Sequence, residues 1–282
     1  MTQASAGTPP TPAGDDQAQR QKIVDHALEQ VTPQHLTTCI SHDPSLGARM
    51  LKGVNSAFYG LPGQIGSINR AIVLLGLNAV KNIAIAASLA KLFRGGEICP
   101  QFNAKQLWTH SIAVAAATRL LAQRTSLDLP DEAFLAGLIH DLGIMVEIQA
   151  IRPKFVEAME KRAAEGLTFR EAEQAVIGAT HEDFGAALCK AWKFPVNFIY
   201  VTGYHHRPLE ISAKHRSLAS LVYIADRVAA RAALGYTQTV ESMEIDPAIL
   251  AGVNLTAEQI NTVAESLPQA MDEATMIFAE AA

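Results

Sequence analysis

The feature that most narrows what this chain can become is its period. Apolar residues return at third and fourth positions, as along the segment holding Leu107, Ile112, Ala115 and Leu120. That spacing lines one face of an α-helix. The Val/Ile/Thr alternation between tight turns that marks strands is nearly absent. Amphipathic segments run near 18–31, 44–58, 67–93, 103–124, 131–149, 153–165, 168–193, 195–206, 215–234 and 255–281. Their starts carry helix-capping chemistry. Asp43-Pro44 and Asp246-Pro247 put a carboxylate before a proline that suits the first helical position. Ser67 precedes an apolar run, and Thr168 with Glu171 and Thr256 with Gln259 have capping-box spacing. Gly95-Gly96, Gly166 and Phe194-Pro195 are stops. The expected fold class is all-α, with no internal repeat.

Composition enters as a set of exclusions. A chain of 282 residues with 49% apolar content can bury a core unaided, as one large domain or two small ones. Its net charge of −5 argues against a nucleic-acid partner, which asks for a basic face. Cys39, Cys99 and Cys189 are far apart and form no CxxC pair, so neither a disulfide framework nor a zinc knuckle is indicated and a reducing cytosol fits. Residues 1–17, rich in Thr, Pro, Ala and Gly, read as a disordered tail without the basic and apolar regions of a signal peptide. The run Ala71–Ala90 contains Asn78, Lys81 and Asn82 and reads as a core helix rather than a membrane span. The expected location is cytoplasmic.

The histidines divide into two groups. His26, His35, His42 and His215 lie in ordinary polar surroundings. His110, His140, His181, His205 and His206 lie within apolar helical segments, together with Asp141 beside His140 and Asp226 in Val-Tyr-Ile-Ala-Asp-Arg-Val. A charged carboxylate in such a place must be paired or must bind a cation. For any one of these residues a satisfied His–Asp pair is an adequate account. Seven of them on four or five helices form the imidazole-carboxylate mix that suits iron, manganese, zinc or nickel. A shared carboxylate among histidines is also how helical proteins build two-metal sites.

These residues carry a resemblance. His140-Asp141, with a histidine before and several after, resembles the HD superfamily of metal-dependent phosphohydrolases. Ile40-Ser-His-Asp-Pro-Ser-Leu, Val54-Asn-Ser-Ala-Phe-Tyr and Ile68-Asn-Arg-Ala-Ile-Val-Leu-Leu-Gly resemble the DP-x-L, NSA-x-Y and AI-x-x-LG elements of the HDOD (HD-related output domain) family of bacterial signalling proteins. Trp108-Thr-His-Ser, Gly137-Leu-Ile-His-Asp-Leu-Gly, His181 to Leu188, Trp192 and His205-His206-Arg-Pro continue the match. It covers about residues 30 to 230. The resemblance implies a two-lobed helical bundle: an N-terminal lobe over 18–100, packed on an HD-like lobe over 101–230, with a helical extension over 231–282. By analogy with HD-GYP phosphodiesterases, His110, His140, Asp141, His181, His205, His206 and Asp226 are the implied ligands of one or two divalent metal ions, with Asp141 as the bridge.

Departures from that pattern bear on activity. The phosphate-facing lysine of HD-x-G-K is replaced by Ile144, and the GYP loop by Arg207-Pro208-Leu209. Gln106 stands where some HD-GYP proteins have a metal-binding glutamate, so a third metal is not expected. Trp108 and Trp192 read as core anchors, and Asn55 as a residue bonding backbone at a helix end. Lys154, Lys190, Lys193 and Arg216 read as solvated surface, while Arg207, next to the histidine pair, is the candidate for facing a phosphate. Two functions follow. The first is a regulatory interaction module with a bound metal centre, acting on signalling proteins in trans. The second is a metal-dependent phosphohydrolase acting on a nucleotide or other phosphoester, with Asp141 and Arg207 in catalytic roles.

Overall fold

The computed structural model describes residues 14–30, 46–56, 59–61, 64–93, 96–127 and 129–278. Residues 1–13 of the expected tail, the Asp43-Pro44 start, His35, His42, Cys39, the DP-x-L element, Ala57 and Phe58 of NSA-x-Y, and Gly95 lie outside them. Fourteen helices follow one another among the described residues. They are α1 (Gly14–Gln30), α2 (Leu46–Val54), α3 (Ile68–Leu75), α4 (Leu77–Leu89), α5 (Ala104–Ala122), α6 (Pro130–Ile139), α7 (Leu142–Ala150) and α8 (Arg152–Glu165), then α9 (Phe169–Val176), α10 (His181–Ala191), α11 (Val196–Tyr204), α12 (Ser217–Arg231), α13 (Pro247–Val253) and α14 (Ala257–Phe278). A two-stranded antiparallel hairpin, β1 (Glu97–Cys99) with β2 (Phe102–Asn103), is the exception to the all-α class and is too short to leave a sequence period.

The caps behave as their chemistry demands. Ser67 accepts from Arg70 N, Asp246 from Ala248 N, and the Thr168–Glu171 and Thr256–Gln259 pairs bond reciprocally. Gly166 closes α8 in the left-handed conformation at φ 68°. Asn55 donates to the Leu51 and Ile65 carbonyls and accepts from Ile65 N at 2.6 Å.

Elsewhere the segments are more broken than their period suggests. The 67–93 segment ends α3 at Gly76, at φ 86°, before α4 begins. The 168–193 segment divides at Gly178, where Asp183 accepts from both N and Oγ1 of Thr180 to start α10. The 255–281 segment is preceded by a separate short helix, α13. Residues 14–17, expected in the tail, are helical.

The most consequential break is at His140-Asp141, inside the 131–149 segment. Pro130–Ala150 is long and apolar enough to cross a membrane by length and composition, yet 89% of that window is buried inside the protein. Asp141 adopts φ −97°, ψ 16°, and α7 starts anew after it.

One large core holds residues from α1, α4 and every helix from α5 to α14, and a smaller cluster gathers Val54, Ile65, Ala71, Val80 and Ile83. Trp108 is 7% exposed and packs on Phe93 at 4.9 Å, while Trp192 is half-buried beside Phe194. Helix α1, placed with the N-terminal lobe by the sequence, packs against α7 and α10, with Val24 and Ala27 in the large core. Helix α14 lies along α5 and touches α2. The approach of α7 to α10 depends on Gly143, where a β-carbon would run into the His181 carbonyl.

Candidate metal centre

Five separate places in the helical framework deliver the candidate side chains. His110 comes from the middle of α5, His140 and Asp141 from the break between α6 and α7, and His181 from the first turn of α10. His205 and His206 follow α11, and Asp226 comes from α12. His110, His140, His181, His205 and Asp226 are 0% exposed and Asp141 1%, while His206 is half-buried. The structure brings all seven to one locus.

Their donor atoms form two groups that share one residue. Asp141, His181, His205 and His206 offer donors within 4.8 Å of one another, and so do His110, His140 and Asp141. Asp141 Oδ1 lies 3.3 Å from His205 Nε2 and 3.6 Å from His181 Nε2, and its Oδ2 lies 3.1 Å from His140 Nε2. Asp226 Oδ1 is 2.8 Å from His110 Nε2. His181 Nε2 and His206 Nε2 are 3.2 Å apart.

The outer nitrogens of three rings settle what the inner ones present. His140 Nδ1–H donates to the Gly137 carbonyl at 2.7 Å, His205 Nδ1–H to Val201 at 3.2 Å, and His110 Nδ1–H to Leu234 at 3.2 Å. His181 Nδ1 lies 2.9 Å from either oxygen of the Glu173 carboxyl group. A carbonyl cannot donate, so in the first three rings the proton belongs to Nδ1 and the Nε2 lone pair is directed inward. Lone pairs then face carboxylate oxygens at hydrogen-bonding distance, which is repulsive unless a proton or a metal cation lies between them. His140 Nε2, His205 Nε2, both Asp141 oxygens and Asp226 Oδ2 are buried without hydrogen-bond partners. Buried polar atoms are seldom left in that state. Imidazole and carboxylate donors in this arrangement fit a divalent transition metal, and the orienting bonds on the far nitrogens are those that metal-binding histidines use.

Charge follows the same geometry. Burial opposes ionisation of Asp141, but His140, His205 and His181 around it hold its pKa well below the usual carboxylate value. Burial likewise opposes the charge on Asp226, and His110 outweighs it. For His140, burial disfavours the cation, yet Asp141, Asp226 and the Gly137 carbonyl lift its pKa to about 9. His205 is pushed down by burial, and His206 well down by burial and its histidine neighbours, so both present neutral imidazoles.

Three buried glutamates at the centre's edge escaped the sequence reading. Glu173 holds His181. Glu182 accepts from His206 N at 3.4 Å and pairs with Arg170 at 3.0 Å and Arg207 at 3.1 Å. Glu147 is 0% exposed and near Glu173. The signal was present: Glu147 interrupts Ile-Met-Val-Glu-Ile, and Glu173 stands among Phe169, Ala172 and Val176, carboxylates inside apolar stripes as Asp226 is.

Arg207 extends elsewhere. Its guanidinium meets Glu182, Glu210 at 2.8 Å and the Gly203 carbonyl at 3.4 Å. Ile144 is fully buried, and Gln106 uses its backbone carbonyl to accept from Tyr236 N. Next to that contact, a β-carbon on Gly235 would strike His110 N, so the strand of chain after α12 lies close against α5.

Comparison with known proteins places this geometry. The chain is similar to an HDOD domain protein from Geobacter sulfurreducens, with 25% identity, a TM-score of 0.70, and coverage of 97% of this chain and 94% of that one. It shares its fold with a signal transduction protein from Marinobacter aquaeolei at 21% identity and TM-score 0.65, over 92% of this chain and 58% of that one. The fold also matches a proposed metal-dependent phosphohydrolase from Shewanella amazonensis at 22% identity and TM-score 0.56, over 97% and 92%. Among curated proteins, it is 24% identical over 68% of its length to an uncharacterized protein of Treponema pallidum. It is 33% identical over 39% of its length to the uncharacterized protein YuxH of Bacillus subtilis. The matched regions span 37% and 26% of those relatives. The HDOD domain profile matches residues 20–208, about two thirds of the sequence. With those family elements in its sequence and a buried His/Asp cluster in its large core, this chain belongs to the HDOD domain family.

Proposed function

We propose that this chain is a regulatory interaction module of bacterial signalling, acting in the cytoplasm with signalling proteins as partners, with one or two divalent transition metals tying its helices together. Fe, Mn, Zn and Ni all suit the donors. The observation that carries this reading is the near-complete burial of the ligand set around a shared Asp141, of which only His206 reaches toward the surface. His181, His205 and His206 would hold one cation and His110, His140 and Asp226 the other, with Asp141 between them. Bound metal would link helices α5, α6, α10, α11 and α12, and free energy of binding becomes free energy of folding. Ile144 and the committed Arg207 leave no cationic group poised for a phosphate at these two positions.

A second reading is favoured by one observation, the two donor groups joined through Asp141. Such pairs in phosphohydrolases activate water and clamp phosphoryl oxygens. On that reading Asp141 is the bridging residue, and Arg207 serves catalysis by leaving Glu182 or Glu210 for a nucleotide or other phosphoester.

Elemental analysis of tag-free protein, beside a His140→Ala/Asp141→Ala variant, tests the centre. Two cations per chain, absent from the variant, is the expected result, and no metal under several supplements would overturn it. Capture of a signalling protein from the native host, with inertness of the loaded protein toward a phosphoester panel, favours the module. Robust turnover without such a partner favours the enzyme.

A further inference from the structure

The histidine ligands are not held alike. His140, His205 and His110 each rest one ring nitrogen on a single backbone carbonyl, which their own helices or the chain after α12 supply. His181 instead meets a side chain. Its ring Nδ1 lies 2.9 Å from the carboxyl group of Glu173, and its backbone N–H donates to the same group at 3.2 Å. His181 is the first residue of α10, so its backbone N–H has no partner within the helix and Glu173 serves as its cap. One carboxylate therefore fixes both the backbone entry of the ligand and the rotation of its ring.

We propose that Glu173 is the positioning residue of the three-histidine half of the centre, fixing His181 as its Nδ1–H tautomer with Nε2 free to bind metal. The inference rests on the metal-centre reading for its consequence, though not for its geometry. A hydrogen-bonding partner on the far nitrogen orients the ring and makes imidazole a stronger donor to a cation. The three-histidine half would thus owe part of its affinity to a residue that touches no metal.

Two readouts on the full chain test this. In the metal-free protein, long-range 1H–15N spectra of the histidine rings report the tautomer directly. His181 is expected as Nδ1–H in the wild type and in Glu173→Gln, which keeps an oxygen acceptor, and is expected to lose that preference in Glu173→Leu. An unchanged His181 tautomer in Glu173→Leu would overturn the proposal whether or not metal binds. Titration with Co2+, read by its d–d absorption and by chelator competition, is the second readout. The affinity of the three-histidine half should fall about 10–100-fold in Glu173→Leu and less in Glu173→Gln. Equal affinity in wild type and Glu173→Leu, with both folded, would also overturn it. Wild-type protein that takes up no Co2+ would sink the metal-centre reading instead, leaving the tautomer spectra to decide the role of Glu173.

Discussion

The two halves of the centre share Asp141 and little else. The half built on His110, His140 and Asp226 has two carboxylates for two histidines when Asp141 is counted, and every member is sealed in the core. The half built on His181, His205 and His206 has three histidines for one carboxylate and reaches the surface at His206. Its further carboxyl groups stand outward, Glu173 beside His181 and Glu182 beside His206 and Arg207. Without a metal, the first half can hold a proton on His140 between its carboxylates. In the second, His205 and His206 present neutral imidazoles. The difference teaches that a single motif, read as one ligand list, can hold two sites of unlike electrostatics.

The most damaging change to this contrast is at its shared residue. Asp141→Ala should remove metal from both halves, measured by elemental analysis, and should cost about 3–5 kcal/mol in chemical denaturation of the metal-free chain, since it strands the buried His140 cation. Retention of one full equivalent of metal would show that the halves are independent.

The next pair separates the halves by stability. His110→Ala leaves the Asp226 carboxylate buried without its 2.8 Å partner, an expected loss of about 3–5 kcal/mol. His206→Ala, at a half-buried position, should cost only about 1 kcal/mol. Equal losses in urea melts would erase the electrostatic distinction.

Acidity gives a third measure. The folded His140 holds its proton up to about pH 9, against 6.5 for the free group. Its contribution is therefore complete below pH 6.5 and lost as pH rises through about 9, roughly 3 kcal/mol over that window. Asp141 and Asp226, with lowered pKa values, act in the opposite sense: their contribution is present at neutral pH and lost in acid. Denaturation midpoints of chelated protein should accordingly fall on both sides. Metal competes with the His140 proton, so loaded protein should not show the alkaline loss. A flat chelated profile from pH 6.5 to 9.5 would contradict the pairing.

The smallest effect is expected at Arg207. Its side chain is 29% exposed and its partners are Glu182 and Glu210. Arg207→Ala should cost about 1 kcal/mol or less and leave metal content unchanged. A large drop in metal content would tie Arg207 to His206 through Glu182 more tightly than the geometry implies.

Much of this was legible along the chain, for a local reason. The ligands stand out because a polar group inside an apolar helical face is costly unless partnered, so His110, Asp226 and the His140-Asp141 pair could be noticed one at a time. Glu147 and Glu173 obey the same rule, but each looks like an ordinary helix-forming glutamate until the stripe it interrupts is known to be buried. The break at His140-Asp141 was not legible, because the apolar pattern runs through it and the nearby Gly137 and Gly143 lie inside the flanking helices rather than at the break. Helix α1 could be recognised as a helix but not assigned to α7 and α10, since an amphipathic face does not name its partner.

Helices, most of their ends, and the residue types that a cation would need could all be read along the chain. These depend on interactions within a turn or two, and on the cost of burying charge. Packing set the rest: that donors from four places in the chain meet within 4.8 Å in two groups, that Asp141 belongs to both, that Asp226 joins through His110, and which nitrogen each ring turns inward. Those outcomes depend on contacts between residues far apart in sequence, such as His110 with Asp226 or Gly143 with His181. Local propensity carries no information about distances of that kind, which packing alone sets.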